Sequence, residues 1–183
     1  MIKYFHTNIE LDRINRSNLE DIREIRNSYE IRKWSRQKDL IHEEEQELWY
    51  KRQMEDPTIQ MYTIKDMSED RLVGVCGLTD IDTHNRRAEF SIYVRPALQK
   101  RGFGGLALNE LFAHAFYSLN LNSVWGETFD GNPAIHLFQA LGMKHDGTRR
   151  EFYFHEGKMI DCHLYSMTFA EYTEKFYNEI DIF

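Results

Sequence analysis

The stretch that decides the fold runs from residue 94 to residue 105 and reads Val94-Arg95-Pro96-Ala97-Leu98-Gln99-Lys100-Arg101-Gly102-Phe103-Gly104-Gly105. An apolar, strand-like run precedes it over 88–94, and apolar residues recur at helical spacing over 105–117. Glycines leave backbone N–H groups uncovered and let the chain turn sharply. Those N–H groups and the positive end of the next helix form an anion site, to which Lys100 and Arg101 add charge. The stretch therefore predicts a phosphate cradle between a strand and a helix.

Other interpretations of the glycines remain open at this point. The segment 102–107 also matches G-x-G-x-x-A, the dinucleotide fingerprint, which is weak evidence alone. In a dinucleotide fold the strand runs almost directly into the first glycine, whereas here the spacer 95–101 intervenes. A P-loop needs Lys and Ser or Thr after the glycines, and this chain has Gly105-Leu106 there. A plain strand-to-helix turn is the structural alternative.

The elements around this stretch predict an α+β fold. A strand over 4–11 and two helices, one beginning at a Ser17–Glu20 capping box and one over 42–54, precede three strands at 60–65, 71–80 and 88–94. The short turns between these strands indicate an antiparallel meander. A strand over 123–129, a helix over 132–141 and a hairpin around His155–Lys158 follow, with a last helix from 170. This order favours a mixed, mostly antiparallel sheet over a doubly wound parallel one.

The motifs resemble those of the GNAT family of N-acetyltransferases. Val94-x-Pro96-x-x-Gln99-x-x-Gly102-x-Gly104 is similar to its acetyl-CoA signature, and the block beginning Asn132-Pro133-Ala134 to its next conserved helix. Gly147, Arg150, Gly157, Asp161 and Tyr165 resemble the terminal hairpin of the branch with ribosomal-protein N-terminal, spermidine and amino-sugar acetyltransferases. The resemblance spans about 1–170 and implies a sheet splayed at the acyl-CoA site. It implies one domain over 1–183, with acceptor-side helices at 1–56, an acyl-CoA core at 57–145, the hairpin at 146–169 and a tail at 170–183.

The resemblance implies direct transfer of an acetyl group from acetyl-CoA to an amine in a ternary complex. Cofactor contacts are expected from Tyr93, Val94, Gln99, Lys100, Arg101, Gly102, Phe103, Gly104, Gly105 and Asn132. A backbone N–H near Tyr93–Val94 is the expected donor to the developing oxyanion. Glu89 and Glu127 are candidate bases for the ammonium. The alternative for each glutamate is a purely structural role in an ion pair, for instance with Arg86 or Arg87.

The proton donor is the point at which the chain departs from the family. Many members carry a Tyr in the helix after the Asn, and alignment places Phe138 there. His136, Tyr153 and Tyr165 are alternatives, and Tyr165 is the preferred one. The departure also motivates a second hypothesis, a non-catalytic acyl-CoA-binding module or sensor.

The net charge and composition limit the kinds of partner that the chain is expected to bind. The formal charge is −7, which argues against nucleic acid as the main partner and suits a cationic substrate. Cys76 and Cys162 are expected to be buried. The histidines show neither an HExxH motif nor paired spacing, so we predict no metal site, and no apolar run is long enough to predict a membrane span. The expectation is a cytoplasmic enzyme for a small-molecule or peptide amine. The string at 86–90 resembles the corresponding strand of spermidine acetyltransferases, which implies a polyamine. Arg26-Asn27 with Trp34 resembles the pattern of nucleotide-linked amino-sugar acetyltransferases, which implies an amino sugar. Relatives commonly dimerise, so a homodimer is an assembly to test.

Overall fold

The computed structural model describes residues 2–5 and 7–176 of the 183-residue chain. The described part is a mixed α+β structure built on a seven-stranded sheet. The strands are β1 (Ile9–Arg13), β2 (Gln60–Asp66), β3 (Arg71–Asp82), β4 (Arg87–Val94), β5 (Ser123–Phe129), β6 (Lys144–His155) and β7 (Lys158–Thr168). Their order across the sheet is β1-β2-β3-β4-β5-β7-β6, and every pairing is antiparallel except β4 with β5.

Six α-helices flank this sheet in the described residues. They are α1 (Leu19–Asn27), α2 (Tyr29–Arg32), α3 (Glu43–Glu55), α4 (Phe103–Ala113), α5 (Ala134–Ala140) and α6 (Phe169–Phe176). Helix α4 continues into a wider π-helical turn, His114–Ser118, before the chain enters β5. No described helix has the length and apolar character needed to cross a membrane.

The main core lies between the sheet and the helices that follow the glycine loop. Phe90 of β4 packs edge-on against Phe112 of α4 and Phe138 of α5, with ring centroids 5.2 Å apart in each pair. Gly126 of β5 is needed beneath that cluster, because a Cβ there would lie 2.7 Å from the Phe90 ring. The core thus fixes α4, α5 and the adjoining ends of β4 and β5 relative to one another.

The predicted strands after the first, and the hairpin, are confirmed with small changes in length. The meander is antiparallel, the 123–129 strand has the predicted bounds, and Glu156 and Gly157 form the two-residue hairpin turn with φ of 46° and 86°. These positive φ values are those of a type I′ turn, which matches the twist of the flanking strands. Both cysteines are buried free thiols.

Two N-terminal predictions are wrong. The first strand begins at Ile9 rather than near Tyr4, because the Phe5 N–H donates to the buried carboxylate of Glu110 on α4, 3.1 Å away. The capping box forms between Asn15 and Asn18 instead of Ser17 and Glu20, and it begins a short 3₁₀ turn before α1. The C-terminal prediction of a helix from 170 is confirmed as far as Phe176, and 177–183 lie outside the described residues.

Candidate active site

The central feature of the site is a gap between β4 and β5. The two strands pair only from Arg87 to Glu89 and from Ser123 to Trp125, although β4 continues to Val94 and β5 to Phe129. The Arg95 N–H donates to the Val73 carbonyl on the opposite side, 2.8 Å away. Because N–H groups alternate along a strand, the Val94 N–H points into the gap. The gap therefore opens between two strand ends and offers a backbone donor.

The glycine loop closes one end of this gap. Gln99 Nε2 donates to the Val94 carbonyl oxygen, 3.1 Å away, and so ties the loop to the end of β4. Gly102 has φ of 86° and immediately precedes α4. The Gly105 N–H bonds back to the Gly102 carbonyl at 3.1 Å, which leaves the N–H groups of Phe103 and Gly104 without a helical partner. These free donors at a helix N-terminus fit an anion.

The start of α4 packs closely against α5. A Cβ on Gly104 would lie 3.2 Å from a Leu137 methyl group, so a larger residue there would push the two helices apart. Asn132 holds the start of α5, because its Oδ1 accepts the Ala134 N–H at 3.0 Å. Among the described residues, Lys100 and Arg101 are exposed and form no ion pair. The predicted cofactor residues from 99 to 105 therefore form one continuous edge of the gap, with Asn132 at the neighbouring helix.

Two carboxylates meet across the gap on the face opposite α4 and α5. Glu89 lies at the last paired position of β4, and Glu127 lies two residues beyond the last paired position of β5. Their side chains are only 11% and 6% exposed. Arg36, from the segment between α2 and α3, bridges them: Nη2 donates to Glu89 Oε1, and Nε donates to Glu127 Oε1 at 2.7 Å.

Glu127 has further donors on the terminal hairpin. Arg149 Nη1 lies 3.0 Å from Oε2, and the Tyr153 hydroxyl donates to Oε1. Burial alone would raise the pKa of Glu127, but the hydrogen bond from Tyr153 and the charge of Arg36 outweigh it and hold the pKa below its ordinary value. Burial and the bond to Glu127 raise the pKa of Tyr153 to about 12. Glu127 is thus ionised and Tyr153 protonated at neutral pH.

The ion-pair partners named from sequence are wrong. Arg86 donates to the Asn120 carbonyl and side chain, and Arg87 pairs with Asp82. The true bridge comes from Arg36, which is 53 residues from Glu89 and 91 from Glu127 along the chain. Such a long-range contact has no local signature, so the sequence held no signal for it.

The candidate proton donor Tyr165 and the rings around it form a separate group on the other face of β5. Tyr165 pairs with Gly126 in the sheet, and its ring packs against Phe138 at 5.7 Å and His145 at 5.2 Å. Since side chains alternate across a strand, this group lies on the opposite face from Glu127. Tyr93 is on the Glu89 face, but its hydroxyl is buried without a hydrogen-bond partner in the described residues, and burial raises its pKa.

The segment between α2 and α3 contributes an aromatic and a basic side chain near the gap. Trp34 stacks on His155 of the hairpin, with ring centroids 5.5 Å apart, and Lys38 Nζ lies 4.6 Å from the centre of the Phe129 ring at the end of β5. Trp49 instead packs in a smaller cluster, with Arg26 stacked over it at 5.3 Å. The described residues contain no group of three or more side chains suited to hold a metal ion.

This geometry agrees with the family comparison. The model described as an acetyltransferase (GNAT) domain matches residues 8–144. The chain belongs to the GNAT family. A spermidine N(1)-acetyltransferase of Vibrio cholerae is 26% identical over 157 residues, covering 85% of this chain and 90% of that protein. The acetyltransferase PseH of Campylobacter jejuni is 26% identical over 150 residues, covering 81% and 91%. An uncharacterized N-acetyltransferase p20 of Bacillus licheniformis is 32% identical over 104 residues, covering 56% and 58%.

Solved structures share the GNAT fold. The crystal structure of a Vibrio cholerae spermidine N-acetyltransferase in complex with CoA and spermine matches with a TM-score of 0.83 at 24% identity, covering 90% of this chain and 98% of that one. A dodecameric structure of a spermidine N-acetyltransferase from the same organism matches with a TM-score of 0.77. Membership of the family makes this chain an N-acetyltransferase that uses acetyl-CoA. The non-catalytic alternative is not favoured.

Proposed function

We propose that the chain acetylates a primary amine held between Glu89 and Glu127 at the open end of β4 and β5. The observation that carries this proposal is the convergence of two buried carboxylates from the two strands that flank the gap. An ammonium group is a cation of the kind that such a pair attracts, and it must lose a proton before it can attack a thioester.

Glu127 is the better placed of the two to receive that proton. Its lowered pKa keeps it ionised at neutral pH, and its side chain lies beyond the last paired residue of β5, where the strands have separated. Tyr153 and Arg149 hold its two oxygens from the hairpin, so we assign them as positioning residues. The Val94 N–H, which points into the gap, is the proposed donor to the oxyanion that forms on the acetyl carbonyl.

The glycine loop is the proposed site for the phosphates of acetyl-CoA. The residues present fit such a group, since Phe103 and Gly104 leave backbone donors free and Lys100 and Arg101 carry positive charge without an ion-pair partner in the described part of the chain. When bound, acetyl-CoA supplies the activated acetyl thioester. Tyr165 is the proposed proton donor to the departing thiolate, from the face that Phe138 shares.

The test is a comparison of matched variants in a CoA-thiol release assay with a broad panel of amines. Glu127→Gln and Glu89→Gln are expected to lose activity while retaining CoA affinity. Asp66→Asn is the control, because Asp66 is also buried and paired with an arginine, Arg71. It lies on β2, which β3 separates from the strands of the gap. Full activity in both glutamate variants would refute the assignment of these carboxylates.

We also propose that the chain self-associates, as a homodimer or a larger assembly. The exposed edge strand β6 supports this, because Phe152 and Phe154 are 47% and 68% exposed on it. Light scattering after size exclusion measures the mass, and Phe154→Ser is expected to reduce it if this edge is the interface. A monomer at all concentrations would refute the proposal.

A further inference from the structure

The segment beside the gap is basic in an otherwise acidic chain. Residues 32–38 include Arg32, Lys33, Arg36 and Lys38 and contain no Asp or Glu, whereas the whole chain has a formal charge of −7. Arg36 reaches both carboxylates of the gap, so this segment borders the proposed amine site directly. The cations around that site therefore bear on which amine it takes.

The carboxylates of the gap are already neutralised within the chain. Arg36 contacts Glu89 and one oxygen of Glu127, and Arg149 contacts the other oxygen of Glu127 at 3.0 Å. A simple amine or polyamine that bound there would displace the Arg36 guanidinium and bring no counter-charge for it. The Arg36 side chain is 53% exposed, so its guanidinium can return to water, but it loses two ion pairs that a second, anionic group on the ligand would replace.

Two lysines on the same segment lack a carboxylate partner. Lys38 Nζ donates to the Lys33 carbonyl at 3.0 Å and lies 3.4 Å from His155 Nδ1, and Lys33 Nζ lies over the Trp34 ring at 5.5 Å. Neither lysine forms an ion pair within residues 2–5 and 7–176. Glu156 on the hairpin turn, which accepts a hydrogen bond from Tyr29, interacts electrostatically with both lysines.

The cations beside the site differ in whether they have a carboxylate partner. Arg36 and Arg149 pair with Glu89 and Glu127, whereas Lys33 and Lys38 form no ion pair in the described residues. Lys38 sits over Phe129, two residues beyond Glu127 on the same face of β5. Two residues of a strand span about 7 Å between Cα atoms, so Lys38 lies over the position that neighbours Glu127 on this face.

We propose that the acceptor is an amine that carries its own anionic group, a carboxylate or phosphate, on the side of the nitrogen that faces Lys38. This proposal rests on the assignment of Glu89 and Glu127 as the amine site. Binding is then an exchange of ion pairs: the ammonium takes the carboxylates, and the anion takes Arg36 and Lys38. Every charge retains a partner, which a diamine of the same length does not allow.

The first experiment compares amines that differ in one group. The carboxylate arm uses 6-aminohexanoate, hexylamine and 1,6-diaminohexane, which have the same chain length, and the phosphate arm uses glucosamine 6-phosphate against glucosamine. Spermidine is included as the polyamine. The anion-bearing member is expected to have a kcat/KM about tenfold above its neutral match in at least one arm, with the diamine below both. The arm that shows the effect identifies the anion. Equal or greater activity with the diamine and spermidine overturns the proposal.

The second experiment reverses the charge of the free cation. Lys38→Glu is expected to lower kcat/KM for the preferred anionic amine about tenfold and to raise it for spermidine, whereas Lys51→Glu, on the outer part of α3, makes the same change in net charge and leaves the preference intact. If Lys38→Glu and Lys51→Glu behave alike, the proposal is wrong.

A third measurement separates this proposal from the underlying function. If no amine is acetylated, the proposed amine site fails, and calorimetric binding of glucosamine 6-phosphate and 6-aminohexanoate to CoA-loaded protein then decides the present question. Binding that Lys38→Glu abolishes supports the anion site, and absence of binding to the unmodified protein overturns it.

Discussion

Replacement of Glu127 by glutamine tests both the stability and the chemistry of the gap. The side chain is 6% exposed and accepts from Arg36, Arg149 and Tyr153. Glutamine keeps the shape but removes the charge, and its amide nitrogen must face at least one donor. Breaking a buried ion pair costs about 3–5 kcal/mol when the remaining charge stays buried.

The cost here is smaller, because the guanidinium groups can return to water. The Arg36 and Arg149 side chains are 53% and 44% exposed, so we discount the loss to about 1–2 kcal/mol. For a chain of this size that corresponds to a fall in Tm of about 2–8 °C. Loss of a general base adds a fall of about 10²- to 10⁴-fold in kcat.

Thermal unfolding measures the first effect and CoA-thiol release the second, and both are compared with Asp66→Asn. That control is expected to lose stability but retain kcat, since its partner Arg71 is remote from the gap. A Glu127→Gln enzyme with kcat within about threefold of the unmodified protein would show that Glu127 is only an ion-pair partner. An unchanged Tm would refute the energetic argument from burial.

Four further predictions follow from single positions. Because the folded pKa of Glu127 is lowered, its stabilising contribution is present above the unfolded pKa of about 4.3 and is lost as pH falls through the folded value, so acid titration of unfolding should show a shallower slope in Glu127→Gln; an identical slope contradicts this. Gly126→Ala should lose about 1–3 kcal/mol in urea unfolding, since its Cβ would lie 2.7 Å from the Phe90 ring, and Phe90→Leu in the same background should recover part of it. Gly102→Ala should lose about 1 kcal/mol and weaken CoA binding in calorimetry, because φ is 86° although no atom lies within 4 Å of the added Cβ; equal CoA affinity would separate the loop from the cofactor. Tyr165→Phe should lower kcat with little change in KM, and a normal kcat would remove Tyr165 as the acid.

Much of the fold could be predicted because its signals are local. The 123–129 strand is a run of β-branched and aromatic residues between turn residues. The hairpin has Glu156-Gly157 at its turn, where glycine readily adopts the positive φ that a two-residue turn requires. The glycine loop combines a strand, a fixed spacer and a helix start within twelve residues, 94–105. Each of these features depends on neighbours in sequence.

The errors lie where distant residues decide local structure. The N-terminal residues do not extend β1 to Tyr4, because Glu110, over 100 residues away, accepts their backbone N–H groups from a fully buried position on α4. Asn15 rather than Ser17 caps the first helical region. Its side chain accepts a backbone N–H at the start of the turn, and the Asn18 side chain accepts the Asn15 N–H in return. The role of Arg36 was missed for the same reason, because its two carboxylates are brought to it only by the folded sheet.

The short pairing of β4 with β5 also divides the sheet mechanically. Four antiparallel strands on one side and three on the other meet through three register pairs, whereas β5 and β7 pair at seven positions. This seam is a natural hinge, and it is the line along which the acetyl donor is expected to lie. A ligand that contacts both halves would stabilise the closed seam, adding RT ln(1 + [L]/Kd) to the free energy of separating the two halves. Amide hydrogens at the ends of β4 and β5 should therefore exchange faster than those of β2 and β3 without CoA, and slow selectively when CoA is added.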